Sequence, residues 1–506
     1  MRINVIEYLE ESVENFPDKL AYVDSISDIS FFQLKEKSKA IATKIADLNK
    51  TKRPVAIFME KGVNCIVSFL ATAYSGNFYS PIDYDMPYQR INNVMNTLKP
   101  FAILTDKASL ETVKQINSIV NAEIIVFEEA LKTQVNDALL TKIRNNMIDT
   151  DPLYVLFTSG STGTPKGVTI CHRSVINYID WVSQTFNITE DERFANQAPF
   201  YFDNSVLDIF CTLRNGSTMF IVPKQVFSFP IRLIEYLNEN KINIVFWVPS
   251  IICSVANLRT FEGVIPHYLK KILFAGEVMP NKQLNTWRKY VQGALYANLY
   301  GPTEITVDCL YYIVDREFRD DEPLPLGIPC RNSDILILNE KNNLVEIEES
   351  GEICVRGTSL ALGYYNNPEK TAEVFVQNPL NKHYPELIYR TGDIAKYNIN
   401  GEVMYLSRKD FQIKHMGHRI ELGEIETAIN SLEEINLCCC VYDAVSSKII
   451  LFYEGQVDKN YIIKGSRLLL PKYMIPNKFI QITEMPLNNN GKIDRLKLKE
   501  LVNEHI

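Results

Sequence analysis

The chain has 506 residues, 46% hydrophobic and 23% charged, globular values that exclude a disordered or fibrous protein and at this length predict two to four domains. Lys and Arg (53) against Asp and Glu (61) leave a net charge of −8 without a basic block, which excludes nucleic acid as the main partner. The N-terminus MRINVIEYLEESVENFPDK is acidic where a signal peptide needs a basic head and an apolar core, and no apolar run approaches the roughly 18 residues of a membrane span; the expectation is a soluble cytoplasmic protein with no membrane partner and its ten cysteines reduced.

In chain order, apolar strands alternate with helical patterns: VAIFM (55–59), a helix through VNCIVSFLATAY, FYSPI (78–82), then AILTD and EIIVF. This is the rhythm of a mostly parallel sheet covered by helices. It resumes with TMFIV (218–222), INIVFWV (242–248) and KKILF (270–274). From about residue 330 the texture changes to short strands with turn signals, DILILNEKNN, LVEIEESG and EICVRG, which predicts hairpins and a small β-barrel. From about 411 a helix (ELGEIETAINSL), two strands (INLCCCVYD, SKIILFYEG) and a further helix predict an α+β unit, with the boundary near Ser407 to Phe411. Cys438, Cys439 and Cys440 look metallic, but neighbours on a strand point to opposite faces, and no second CxxC or His pair accompanies them; a buried strand is the better reading.

The stretch LFTSGSTGTPKG (156–167) is dense in Ser, Thr and Gly and closes on a lysine. A Walker A loop requires GxxxxGK[ST], and here Lys166 follows Pro165 and precedes Gly167, so a standard P-loop is disfavoured. The physics of an anion clamp is nevertheless present. Gly160, Gly163 and Gly167 let backbone N–H groups converge, Thr158, Ser159, Ser161 and Thr162 add hydroxyls, and Lys166 adds charge. Behind it, apolar residues at 175, 179, 182 and 186 have helical spacing, so the loop is expected to join a strand to a helix.

Residues 154–167 closely resemble the phosphate loop of the adenylate-forming superfamily, which includes acyl- and aryl-CoA synthetases, firefly luciferase and the adenylation domains of nonribosomal peptide synthetases. NLYGPTE (298–304), YRTGD (389–393), SRKDFQIKHMGHRIELGEIE (407–426) and NNNGKIDR (488–495) resemble the family's other signatures in the right order, joined by SFFQL (30–34) and SGNFYSPID (75–83). The resemblance covers essentially the whole chain. It implies an α/β fold: a large N-terminal core, 1–408, of two βα-layered subdomains plus a small β-barrel, then a small mobile α+β lid, 409–506.

The resemblance also implies a reaction: a carboxylate attacks the α-phosphorus of ATP, pyrophosphate leaves, and the acyl group passes to a thiol. By carry-over, the loop from Thr158 to Lys166 would hold the β- and γ-phosphates, Thr303 would contact the α-phosphate, and Glu304 would help ligate Mg²⁺. Asn298 and Tyr300 match the positions that bind adenine, and Asp393, with Arg408 nearby, matches the carboxylate that takes the ribose hydroxyls. Lys492 would bridge the substrate carboxylate and the α-phosphate, and Asp410 falls at the hinge about which the C-terminal domain turns. Ser407, His415, Met416 and His418 depart from the family's common choices, which puts the details of partner contact in doubt.

Asp203 in YFDNSVLDIF decides between acids. In amino-acid-activating relatives an aspartate here pairs with the substrate ammonium; its ordinary alternative is a helix N-cap. The remaining pocket positions are Asn204, Leu207, Phe246, Leu273 and Ala275, then Leu299, Val307 and Asp308, with Lys492 closing the set. Most resemble free-standing proline-activating enzymes, and several stretches resemble D-alanine:carrier-protein ligases. Asp308 does not fit the proline pattern, because a second carboxylate there also accepts a hydroxyl or amine in serine-, ornithine- or lysine-activating relatives. Proline or a hydroxylated analogue ranks first, then serine, alanine and the basic residues. The chain ends 14 residues after Lys492, so the thiol is expected on a separate carrier protein; a monomer is the expected state, and a carboxylic-acid:CoA ligase is the alternative.

Overall fold

The computed structural model describes residues 2–160, 165–409, 412–444, 446–487 and 493–504. Two compact units emerge: Met1–Ile82, Leu98–Leu156 and Val168–Lys409 form the first, and Asp83–Thr97, Phe157–Gly167 and Asp410–Ile506 the second.

The first unit is built on large sheets. In a nine-stranded sheet, six strands lie in the order Leu295–Tyr300, Lys271–Phe274, Ile244–Trp247, Arg193–Asn196, Thr218–Ile221 and Leu20–Val23 and run parallel. Leu310–Ile313 and Asp28–Ser30 pair antiparallel at its two sides. A seven-stranded sheet places Pro152–Thr158, Phe78–Pro81, Pro54–Phe58, Ala102–Thr105 and Glu123–Val126 side by side. The central ones, Pro54–Phe58, Ala102–Thr105, Thr218–Ile221 and Ile244–Trp247, are buried along their length, which is why they read as unbroken apolar runs instead of alternating ones.

Local signals fix the helices between them. Ser30 accepts the Gln33 N–H while the Gln33 side chain accepts the Ser30 N–H, a reciprocal cap that starts Phe31–Ala46. Asn204–Asn215 stops at Gly216, in the left-handed region at φ +68°; a Cβ there would meet the Phe16 ring at 2.4 Å, so only glycine ends the helix there. The predicted barrel region forms a five-stranded antiparallel sheet around the long strand Leu387–Tyr397, curled by irregularities at Glu352/Cys354 and Ile394/Ala395.

The second unit is α+β. Leu437–Asp443, Lys448–Glu454 and Lys478–Gln481 form a three-stranded sheet, and Leu422–Asn430 and Lys459–Leu469 pack their apolar faces into its core. The three adjacent cysteines lie in the strand Leu437–Asp443, buried and unbonded. Burial pushes their thiols up, Cys439 to about 12, so they behave as small apolar groups. Among the described residues no helix is long and apolar enough to cross a membrane.

The glycine-rich loop departs from expectation. The helix with the 175/179/182 spacing is there, His172–Thr185, with Val175, Ile179 and Val182 fully buried. But the strand Lys166–Cys171 comes first, so the loop joins a strand to a strand. The run GVTIC is buried along its length, and its β-branched residues favour extended backbone over an earlier helix start.

Candidate active site

The strand Leu295–Tyr300, third from one edge of the nine-stranded sheet, carries Asn298 and Tyr300, the positions matched to adenine by the resemblance. Asn298 is fixed by its amide N–H donating to the Pro325 carbonyl at 2.9 Å. Tyr300 donates its phenol to Asp393 Oδ2 at 2.5 Å, and Arg408 Nη1 donates to Oδ1 at 2.9 Å. Asp393 and Arg408 are cross-strand partners, so the strand register itself brings them together. Burial, and then the adjacent carboxylate, hold the Tyr300 phenol well above its ordinary range, so it stays a neutral donor.

Thr303 and Glu304 follow in a single 3₁₀ turn, Thr303–Ile305. Glu304 is fully buried, and the Tyr364 phenol donates to its Oε1 at 2.7 Å. Among the described residues no group of three or more His, Cys, Asp or Glu could hold a metal. One carboxylate with nucleotide phosphates beside it is an ordinary Mg²⁺ environment, and Glu304 is the carboxylate the resemblance assigns to it.

Within the second unit the loop is tied to the strand His418–Glu421. The Ser159 hydroxyl donates to the Arg419 carbonyl at 2.8 Å and accepts the Glu421 N–H at 3.2 Å. Lys166 Nζ lies 3.6 Å from the Glu421 carboxylate. Thr158 Oγ1, at the end of its strand, is buried with no partner among the described residues. A buried unmatched hydroxyl is costly, and a phosphate oxygen is the kind of group that would satisfy it. Ser161, Thr162 and Gly163 lie outside the described residues, as do Asp410 and Lys492.

Of the positions the resemblance assigns to the substrate, Phe246, Leu273 and Leu299 lie on strands of the same sheet. Phe246 is the cross-strand partner of Leu273, and Leu273 of Ala297. By strand alternation Ala275 and Leu299 share their face, and these side chains, with Leu207 and Val307, all belong to the main core. Asp203, 9% exposed, precedes the helix Asn204–Asn215 with helical angles and makes no side-chain capping bond, so the ordinary N-cap reading of this residue does not hold.

Asp308 comes after a contorted turn. Thr306 and Val307 have φ of +62° and +72°, and for β-branched residues such angles are outliers costing about 1–3 kcal/mol each. Gly301 makes the turn feasible, since a Cβ there would lie 2.2 Å from the Val307 carbonyl oxygen and 2.6 Å from Asp308 Cα. Asp308 is 2% exposed, and its Oδ2 accepts the Tyr178 phenol at 2.6 Å.

Sequence reasoning missed Tyr178, Tyr364 and the tie from Ser159 to the strand His418–Glu421. Each acts across a long separation, 130 residues for Tyr178 to Asp308, and no local spacing signals such a contact. In the sequence Tyr178 is simply one more aromatic in an amphipathic helix.

The family described as AMP-binding enzyme matches residues 9–365. The chain is 31% identical over 504 residues to zwittermicin A synthase ZmaJ of Bacillus cereus, covering 96% of this chain and 93% of the relative. It is 31% identical over 518 residues to D-alanine–D-alanyl carrier protein ligase of Bacillus licheniformis, covering 99% and 100%. Among solved structures, holo-PA1221, a nonribosomal peptide synthetase protein containing adenylation and PCP domains, superposes with a TM-score of 0.84 at 21% identity over 99% of this chain and 84% of its own, a likeness of fold.

Proposed function

This chain belongs to the AMP-binding enzyme family and is an adenylate-forming ligase, and from that premise we propose that it activates a small amino acid and loads it onto a separate carrier protein. A substrate carboxylate oxygen bonds to the α-phosphorus of ATP as the bond to the bridging oxygen breaks, and pyrophosphate leaves. The carrier's phosphopantetheine thiol then displaces AMP and takes the aminoacyl group as a thioester. Proline or a hydroxylated analogue ranks first as substrate, serine or alanine next.

The observation that carries the amino-acid reading is Asp203, a carboxylate nine-tenths buried whose side chain is not used to cap the helix it precedes. Burying an ammonium is costly without a negative partner, and Asp203 supplies one beside a mostly apolar set of pocket positions. On the nucleotide side, Asp393 and Arg408 serve the ribose, Asn298 and Tyr300 the adenine, and Thr303 with the Thr158–Lys166 loop the phosphates. Glu304 would hold Mg²⁺, which neutralises charge on the leaving pyrophosphate. Lys492 completes the first step, and Asp410 is the pivot between the domains 1–408 and 409–506. The full-length likeness to a D-alanine–D-alanyl carrier protein ligase supports a carrier acting in trans.

The test is ATP–pyrophosphate exchange across the proteinogenic amino acids, their D-isomers, 4-hydroxyproline and simple acids lacking an amine, repeated with Asp203→Ala. Exchange with one small amino acid that the variant loses is the expected result. Exchange confined to amine-free acids, unchanged in the variant, would sink the proposal.

A further inference from the structure

The substrate positions read from the sequence do not include Tyr178, yet its phenol reaches Asp308, one of those positions. It lies in the helix His172–Thr185, and its phenol donates to Asp308 Oδ2 at 2.6 Å. Its ring is 2% exposed and is set by Trp181, whose centroid is 5.8 Å away. Trp181 is packed edge-on against Tyr311 and Phe186 in turn. The phenol therefore has little freedom to point elsewhere. Burial, then Asp308 itself, push its pKa far above the ordinary range, so it remains a neutral O–H donor.

A buried carboxylate at the floor of an apolar pocket is stable only when hydrogen-bonded. Ionised, it accepts only and offers about four lone-pair sites; Tyr178 supplies a donor for one of them. It comes from the helix side, opposite in sequence to the strained Gly301–Asp308 turn that delivers the carboxylate. A carboxylate clamped at both its backbone and its oxygen keeps one orientation, which is what discrimination by a single hydrogen bond requires.

Resting on the amino-acid-activating reading above, we propose that Tyr178 is a positioning residue for substrate selection: it orients Asp308 to receive a hydrogen-bond donor, a hydroxyl or amine, on the side chain of the activated amino acid. The selected substrate is then a donor-bearing small amino acid, and the matching amino acid without the donor is disfavoured.

The test compares wild type, Tyr178→Phe, Asp308→Asn and the double variant in ATP–pyrophosphate exchange. The substrate pairs are serine with alanine, threonine with valine, and 4-hydroxyproline with proline. Wild type is expected to favour the donor-bearing member of its best pair by about tenfold or more in kcat/KM, the scale of a hydrogen bond to a charged group. Tyr178→Phe is expected to shrink that ratio about tenfold through the amino-acid KM, with the KM for ATP moving less than about twofold. The double variant should lose no more than the larger single effect, because both substitutions break one unit.

Thermal unfolding of each variant separates selection from folding, and the ratio within one folded variant is independent of its active fraction. An apolar preference in all three pairs overturns the proposal. So does a Tyr178→Phe ratio equal to that of wild type, or a KM for ATP that rises as much as the amino-acid KM. Absence of exchange by wild type with every amino acid would instead remove the amino-acid reading on which the proposal rests.

Discussion

Tyr300 and Asp393, 93 residues apart in sequence, meet with the phenol oxygen 2.5 Å from Oδ2 of the carboxylate. Arg408 takes the other oxygen at 2.9 Å, so the carboxylate is held in one orientation from two strands. Because Arg408 and Asp393 are both buried, with side-chain exposures of 9% and 3%, neutralising the carboxylate leaves a guanidinium without its counter-charge.

Asp393→Asn is therefore expected to raise the KM for ATP by about 10- to 100-fold, the value of a charged hydrogen bond at about 1.5–3 kcal/mol. Tyr300→Phe keeps the ring and removes one donor, so its cost should be nearer 1 kcal/mol, about fivefold. Both are read from ATP titrations in the exchange assay at saturating amino acid. A KM for ATP unmoved in Asp393→Asn, with the amino-acid KM raised instead, would dismiss the ribose assignment.

Gly301→Ala tests the turn that carries Asp308. The added Cβ would sit 2.2 Å from the Val307 carbonyl oxygen, far inside contact distance, and the opposing atom is backbone that cannot swing aside. The turn must open and carry Asp308 with it. The expected outcome is a stability loss of about 1–3 kcal/mol together with a fall in kcat/KM for the amino acid that exceeds the fall for ATP. Equal losses for the two substrates would mean that the turn only supports the fold.

How much of this was legible in the sequence follows from the range of each interaction. The parallel strands that are apolar runs, such as IVFW, were readable because burial demands such runs, and their bounds moved by only a residue or two, whereas Leu20–Val23, Arg193–Asn196 and Leu295–Tyr300, which carry polar or mixed residues, were not recognised. The signatures around Gly301 and Asp393 were readable because turn and strand chemistry is local. The strand Lys166–Cys171 was missed because the apolar helical spacing that follows it gave no stop signal to mark where helix begins. The partners of Asp308 and Glu304 were not legible at all. Tyr178 and Tyr364 arrive from distant helices and strands, and a tyrosine facing a carboxylate has the same local pattern as one facing leucine. The assignment of Asp83–Thr97 to the second unit was hidden for the same reason: one of its ties there, the ion pair of Arg90 with Glu424, joins residues 334 apart in sequence.

That pair, Arg90 with Glu424, lies within the second unit, with side chains 6% and 4% exposed. Arg90 Nε and Glu424 Oε2 have no partner among the described residues, and burial lowers the arginine's pKa. Removing one partner of such a pair strands the other, at a cost of about 3–5 kcal/mol. Glu424→Gln should therefore lower stability by about that amount in urea denaturation. The double substitution Arg90→Met, Glu424→Leu should recover most of it, since an apolar replacement carries no desolvation cost. If the double variant is as unstable as the single one, the pair contributes more than desolvated charge balance.

His172 contributes a pH dependence on the acid side. It is fully buried at the start of its helix and its Nδ1 accepts the Val5 N–H at 3.3 Å, a bond that requires the neutral ring. Burial pushes its pKa down to about 4, with Asp151 pulling partly the other way. The unfolded chain binds the proton near 6.5, so below that pH the unfolded state takes up more protons than the folded one. Stability is then fully present above about pH 6.5 and declines as pH falls toward 4, by at most about 3 kcal/mol for this group. His172→Asn keeps an acceptor near Val5 and cannot titrate. It is expected to be somewhat less stable at pH 7 but to lose less between pH 6.5 and 4, so the two urea-derived stability curves converge on the acid side. Curves that stay parallel through this window would show that His172 is not neutral in the folded protein.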